Sequence, residues 1–197
     1  MVQESVMKKL LLAVLLLCPL QSIAAEEDWY TYWSLGFSNN SYPEPLDSDL
    51  NALESSPGVD RIQGAIDMLG FYWPIQDKLN LGFVISGSFD AFTTPVGNMQ
   101  INQYLYGASV MKFYGRETGD GLFLRGDLGF AKASITADTP IGTITSTSDT
   151  GRGFLIGIGY GIPVSEESRL LLSFNISNKK IEGDDLSTVS FNIGGLW

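Results

Sequence analysis

The amino-acid sequence predicts an all-β fold, an eight-stranded antiparallel up-and-down transmembrane β-barrel, and three observations predict it. Apolar and polar residues alternate with a period of two along most of the chain after residue 25. The links between these segments are short and long by turns. The polar faces of the segments are Ser, Asn and Gly with few charges, whereas most Lys, Asp and Glu fall in the links. Such faces suit a confined lumen, which turns the apolar faces outward.

The beginning of the chain carries a basic pair (Lys8, Lys9), an apolar run from Leu10 to Leu20, and small residues at Ser22, Ala24 and Ala25. That combination is a secretory signal, expected to be cleaved after Ala24 or Ala25. Residues 1–25 are therefore read as signal peptide and 26–197 as one barrel domain, with translation starting at Met1 or Met7. The apolar run is shorter than the about 20 residues a spanning helix needs, and Pro19 and Gln21 interrupt it. Cys18, the only cysteine, lies inside the signal and lacks the small preceding residue that lipoprotein processing wants. No thiol chemistry is expected of the domain.

The strands follow in order. Trp29 to Ser38 sets Trp33, Leu35 and Phe37 against Tyr32, Ser34, Gly36 and Ser38. A second strand, Gln63 to Trp73, is mixed on both faces. Leu79 to Ala91 alternates most cleanly, with Leu81, Phe83, Ile85 and Phe89 against Asn80, Ser86, Ser88 and Asp90. Gln100 to Tyr114 is again mixed. The stretch GLFLRGDLGFA sets Leu122, Leu124, Leu128 and Phe130 against Arg125, Asp127, Gly129 and Ala131. Arg152 to Ile162 is apolar or glycine on both faces. Leu170, Leu172, Phe174 and Ile176 oppose Ser173, Asn175 and Ser177; Val189, Phe191, Ile193 and Trp197 oppose Ser190, Asn192 and Gly194. Eight strands leave roughly 21 residues for each strand with its link, enough for spans of about 9 to 11 residues.

Short links are expected at Pro74 to Lys78, Gly115 to Asp120 and Pro163 to Ser168, and longer loops at Asn39 to Ile62, Thr93 to Met99, Ser134 to Gly151 and Lys179 to Ser187. Three turns at one end and four loops at the other put both termini on the turn side. Trp29, Tyr30, Tyr72, Trp73, Tyr114, Tyr160 and Trp197 sit near strand ends, where an aromatic girdle would stand. A soluble barrel of lipocalin type shares the alternation but needs a charged exterior, and cell fractionation separates the two.

The final segment, SFNIGGLW, resembles the terminal strand of Gram-negative outer-membrane proteins, with Trp197 preceded at alternate positions by Ile193, Phe191 and Val189. With the signal, the turn and loop layout and the glycine-rich strands GLFLRGDLGFA and GFLIGIGYGI, the chain looks like the small OmpA/OmpX-type outer-membrane β-barrel domain. The resemblance implies that Val189, Phe191, Ile193 and Trp197 form the signal read by the barrel-assembly machinery. It also implies a bacterial outer-membrane location with extracellular loops, periplasmic termini, and lipid and lipopolysaccharide as neighbours. Cell-wall tethering by a following peptidoglycan-binding domain is not carried over.

The sequence contains no histidine, so the histidine-based acid/base chemistry of enzymes resembling this architecture is excluded and no enzymatic role is expected. No cofactor or metal site is expected either. Residues 1–25 hold two of the 12 cations and one of the 22 acids, which leaves a net charge of −11 on 172 residues. That acidity argues against nucleic acid as a partner. Arg125 and Asp127, with Asp90, are expected to form a polar cluster that fills the lumen, since eight strands enclose room for side chains only. Gly151, Gly153, Gly157, Gly159 and Gly161 follow strand spacing and make room for bulky lumen neighbours. The acidic first loop and the Glu182, Asp184, Asp185 cluster offer sites to calcium or to basic surfaces, solvation being the simpler account. The stretch TADTPIGTITSTSDT alternates β-branched residues and is expected to extend a hairpin whose edge meets an extracellular partner. The expectation is a structural or surface-interaction, adhesion-like role; the alternative is a narrow channel for small or hydrophobic solutes.

Overall fold

The structure, a computed structural model, describes residues 29–139 and 142–197. The signal peptide expected over residues 1–25 lies outside them, with Cys18 and both candidate start residues.

Nine strands and one helix follow in order: β1 (Tyr30–Ser41), α1 (Leu46–Glu54), β2 (Asp60–Gln76), β3 (Leu79–Thr94), β4 (Gly97–Phe113), β5 (Gly121–Thr139), β6 (Gly142–Thr147), β7 (Gly151–Pro163), β8 (Arg169–Ile181) and β9 (Asp184–Leu196). Each barrel strand pairs antiparallel with its neighbour, and β1 pairs with β9 as well as with β2. The circuit closes through eight strands, and β6 pairs with the far half of β5 as an addition beyond the wall. Closure leaves no open edge within the cylinder, which backbone groups in a lipid phase require.

Exposure decides which face looks out. Phe37 is 81 % exposed and Leu128 70 %, whereas Asp90 and Gln103 are at 0 %. The apolar stripes therefore ring the outside and the Ser, Asn and charged residues crowd the middle. Trp29, Trp73, Tyr114, Tyr160 and Trp197 stand exposed at the turn end. Tyr72 departs from that girdle. It is buried and packs edge-on to Tyr32 inside the barrel.

The mixed alternation of β2 has a cause. The pairing of β2 with β3 shifts register between Asp67 and Leu69, a β-bulge that flips the phase of every side chain beyond it. Before the bulge Ala65 and Asp67 point inward; after it Gly70 and Tyr72 do, while Met68 and Leu69 are both exposed.

Two of the expected long loops are tight turns. β3 and β4 are joined by Pro95 and Val96, and β8 and β9 by Glu182 and Gly183, whose positive φ angles of 54° and 99° suit a two-residue hairpin. The strands run on instead. β4 has 17 residues and β5 has 19, beyond the about 9 to 11 that cross a membrane. The expected loop Ser134 to Gly151 is largely the β5–β6 hairpin. The first loop, expected from the sequence to be irregular, contains α1. Leu46, Leu50 and Leu53 lie on one face of it and join Phe92, Ile101, Ile181 and Leu186 in a cluster across the barrel mouth.

Candidate functional site

The lumen is filled in layers, each set by the inward positions of the strands. At the turn end Tyr32, Tyr72, Met111, Phe113, Phe123, Leu171 and Leu196 form an apolar plug. Phe123 pairs with Gly159 across β5 and β7, and its ring occupies the place a β-carbon at Gly159 would take, 2.4 Å away. This glycine makes room for a bulky neighbour.

Next comes an ion-paired layer. The Arg125 guanidinium donates from Nη1 to Asp67 Oδ2 at 2.7 Å and from Nη2 to Asp67 Oδ1 at 3.0 Å. It also donates from Nη2 to Asp127 Oδ2 at 2.7 Å and to Ser86 Oγ, and from Nη1 to the Tyr32 hydroxyl. Both carboxylates take further bonds. Ser34 and Ser86 each donate to Asp67 at 2.6 Å, and Ser109 donates to Asp127 at 2.5 Å. A buried carboxylate pair is tolerable only with this degree of satisfaction.

Asp90 belongs elsewhere. Sequence reading placed it with Arg125 and Asp127, but its partners are the Tyr42 hydroxyl, Asn40 Nδ2 at 2.9 Å and Arg61 Nε at 2.7 Å. The reason is depth: on β3 the inward residue nearest Arg125 is Ser86, and Asp90 lies four residues nearer the mouth. Arg61 also reaches Glu54 on α1 at 3.0 Å, so Asp90 and Arg61 tie the helix to the wall. Between the two ionic layers Lys179, 2 % exposed, donates to Gln103 Oε1, Ser177 Oγ and Thr188 Oγ1. A cavity of about 20 Å³ lined by both Asp67 and Lys179 separates the Arg125 layer from it. Down the axis, Asp67, Asp90 and Asp127 balance Arg61, Arg125 and Lys179.

The residues missed by sequence reading are Asp67, Arg61, Tyr42 and Lys179. The α1 leucines pack over the mouth as part of the apolar cluster there.

Around the mouth the surface is acidic. Asp47, Asp49, Asp60, Asp138, Asp149, Glu182 and Asp184 are all at this end. A groove of about 230 Å³ lies on the inner face of the β5–β6 hairpin, between it, the β8–β9 turn and the start of α1. Among the described residues no group of three or more His, Cys, Asp or Glu is arranged to hold a metal.

Val189, Phe191, Ile193 and Trp197 all face outward beside the seam with β1. Trp197 exchanges backbone hydrogen bonds with Thr31 at 2.7 and 3.0 Å, and its ring stacks on Trp33 at 5.8 Å.

The family model of the outer membrane protein beta-barrel domain matches residues 10–197. No curated protein sequence matches the chain. Among solved structures the chain is similar to Ail, the attachment invasion locus protein of Yersinia pestis, with a TM-score of 0.55 at 10 % identity, covering 86 % of this chain and 99 % of that one. Ail has also been solved with the heparin analogue sucrose octasulfate, and that structure matches with a TM-score of 0.53 at 10 % identity over the same shares of both chains. Neisserial surface protein A (NspA) matches with a TM-score of 0.55 at 14 % identity, covering 85 % of this chain and 95 % of that one. At these identities the likeness is one of fold.

Proposed function

The chain belongs to the outer membrane protein β-barrel domain family, and from that premise we propose that it is a sealed, non-enzymatic surface barrel whose loop end engages a partner outside the cell. One observation carries the proposal. The β5–β6 hairpin stands clear of the wall, with β6 fully exposed and paired on one side only among the described residues.

In this reading the hairpin, α1 and the β8–β9 turn face the exterior and both termini face the periplasm. Lipid covers the apolar belt, lipopolysaccharide packs around the outer rim, and the β9 face of Val189, Phe191, Ile193 and Trp197 is offered to the barrel-assembly machinery. A filled, charge-balanced lumen supports a structural cylinder over a narrow channel for small or hydrophobic solutes. The absence of histidine from the sequence supports a non-enzymatic role.

The attachment named for Ail and the surface named for NspA fit such a role. The polyanion bound by Ail does not transfer, because the mouth here is acidic and repels sulfates. The test is deletion of residues 138–149 in cells, scored by binding to host cells or matrix; unchanged binding by a correctly assembled barrel refutes the contact surface.

A further inference from the structure

We infer that the groove at the foot of the β5–β6 hairpin docks an extended, basic peptide segment that adds as a strand to the free edge of β6. The inference rests on the loop end facing outward and names the chemistry of the partner met there.

Three features converge on this occupant. The first is the edge. Ser148 N–H donates to the Ala133 carbonyl at 2.9 Å, and antiparallel alternation then turns the N–H groups of Thr143, Thr145 and Thr147 away from β5. Those unpaired donors, with their carbonyls, form a template for a strand. All six residues of β6 are exposed.

The second feature is the floor of the groove. Below the hairpin β5 parts from β6 and takes β7 as its neighbour from Ala131 onward, and β7 pairs on its far side with β8, so a strand laid along the free edge of β6 stands in line with β8, above the β8–β9 turn. There the groove presents Pro43, Leu46, Ile135 and Leu186, an apolar surface for alternate side chains of an extended chain.

The third is charge, which selects the sign of the partner. Glu182 and Asp184 line the groove, and Asp149 stands beside them, its N–H donating to Glu182 Oε1 at 2.8 Å. None of these three carboxylates has an ion-pair partner among the described residues, whereas neighbouring Asp185 pairs with Lys180 at 3.5 Å. An acidic segment meets three unpaired carboxylates on the groove side, while the exposed cations Lys132, Arg152 and Lys180 stand on the strands below. A lysine or arginine gains unshared carboxylates, and its stem covers the apolar floor.

The experiment uses the full chain in lipid nanodiscs and a fluorescent ten-residue peptide alternating Lys with Val, beside its Glu-for-Lys counterpart, read by anisotropy. The Lys peptide is expected to bind and the Glu peptide to fail. Thr145→Pro removes an edge donor without touching the β5 ladder and should weaken binding about tenfold. Asp184→Lys reverses one rim charge and should weaken it about fivefold, more at low salt than at high. Equal binding of both peptides, no binding of either, or indifference to both substitutions overturns the assignment. If deletion of residues 138–149 abolishes cell binding while the Lys peptide does not bind, the surface role stands and this occupant is wrong.

Discussion

Arg125 on β5 and Asp67 on β2 meet across the lumen in a two-pronged pair, Nη1 to Oδ2 at 2.7 Å and Nη2 to Oδ1 at 3.0 Å. The two strands are not neighbours in the wall, so the pair braces the cylinder across its width. Each side chain is nearly dry, at 1 % and 3 % exposure.

Arg125→Met should therefore destabilise the barrel by about 3–5 kcal/mol, because it strands the Asp67 and Asp127 carboxylates together without a cation. The triple change Arg125→Met, Asp67→Leu, Asp127→Leu should cost less than the single one. Urea unfolding in lipid vesicles, followed by tryptophan fluorescence, measures both; a milder single variant would show that the layer carries no buried charge penalty.

The stacked plugs lead to an electrical prediction. Planar bilayers carrying the protein should show no large, stable conductance steps, since two apolar clusters and two ionic layers lie across the axis. Frequent long-lived openings would revive the channel reading.

Gly159→Val should destabilise the barrel by about 1–3 kcal/mol, since the Phe123 ring fills the site of the new side chain and is part of the turn-end plug. Gly183→Ala is the contrast: its added carbon meets no atom within 4 Å, but φ of 99° penalises it, so the loss should be smaller and local to the β8–β9 turn. Heat-modifiable gel migration at graded temperatures separates the two.

Trp197→Ala should slow closure of the seam, because it removes the stack on Trp33 where β9 meets β1. Pulse-chase of the heat-modifiable form in cells reads the rate, while refolding of the purified variant into vesicles tests whether the defect needs the assembly machinery. A defect of equal size in both settings would assign Trp197 to packing alone.

The parts legible in the sequence were those where one face is uniformly apolar. β3, β8 and β9 alternate without a break, so Leu81, Phe174 and Phe191 could be turned outward from pattern alone. β4 is blurred because its inward positions are themselves apolar where they enter the plugs, as at Ile101, Met111 and Phe113, and β7 because its inward positions are glycines apart from Leu155. Asp67 escaped notice because the bulge after it flips the alternation that would have marked it as inward. Helix α1 is nine residues between prolines, too short for periodicity to declare itself, although Leu46, Leu50 and Leu53 carry the spacing. Asp90 is legible as a lumen residue but its companions are not, since Arg61 and Tyr42 come from segments whose depth only the closed register supplies.

Tyr42 supplies the last prediction, because it lies in the first loop outside the barrel wall and holds α1 down through Asp90. Burial pushes the Tyr42 phenol above its ordinary value, and the Asp90 carboxylate that accepts its hydrogen bond pushes the same way. In the unfolded chain a tyrosine ionises near about pH 10. A group whose folded value is raised contributes stability that is complete below the unfolded value and declines as pH climbs above it. Wild-type stability in urea should thus hold level from pH 8 to pH 10 and fall beyond. Tyr42→Phe should be less stable at pH 8, having left Asp90 one donor short, yet its loss above pH 10 should be shallower than that of the wild type. Parallel curves for the two proteins would mean that Tyr42 ionises freely in the fold, and that the phenol does not latch the helix.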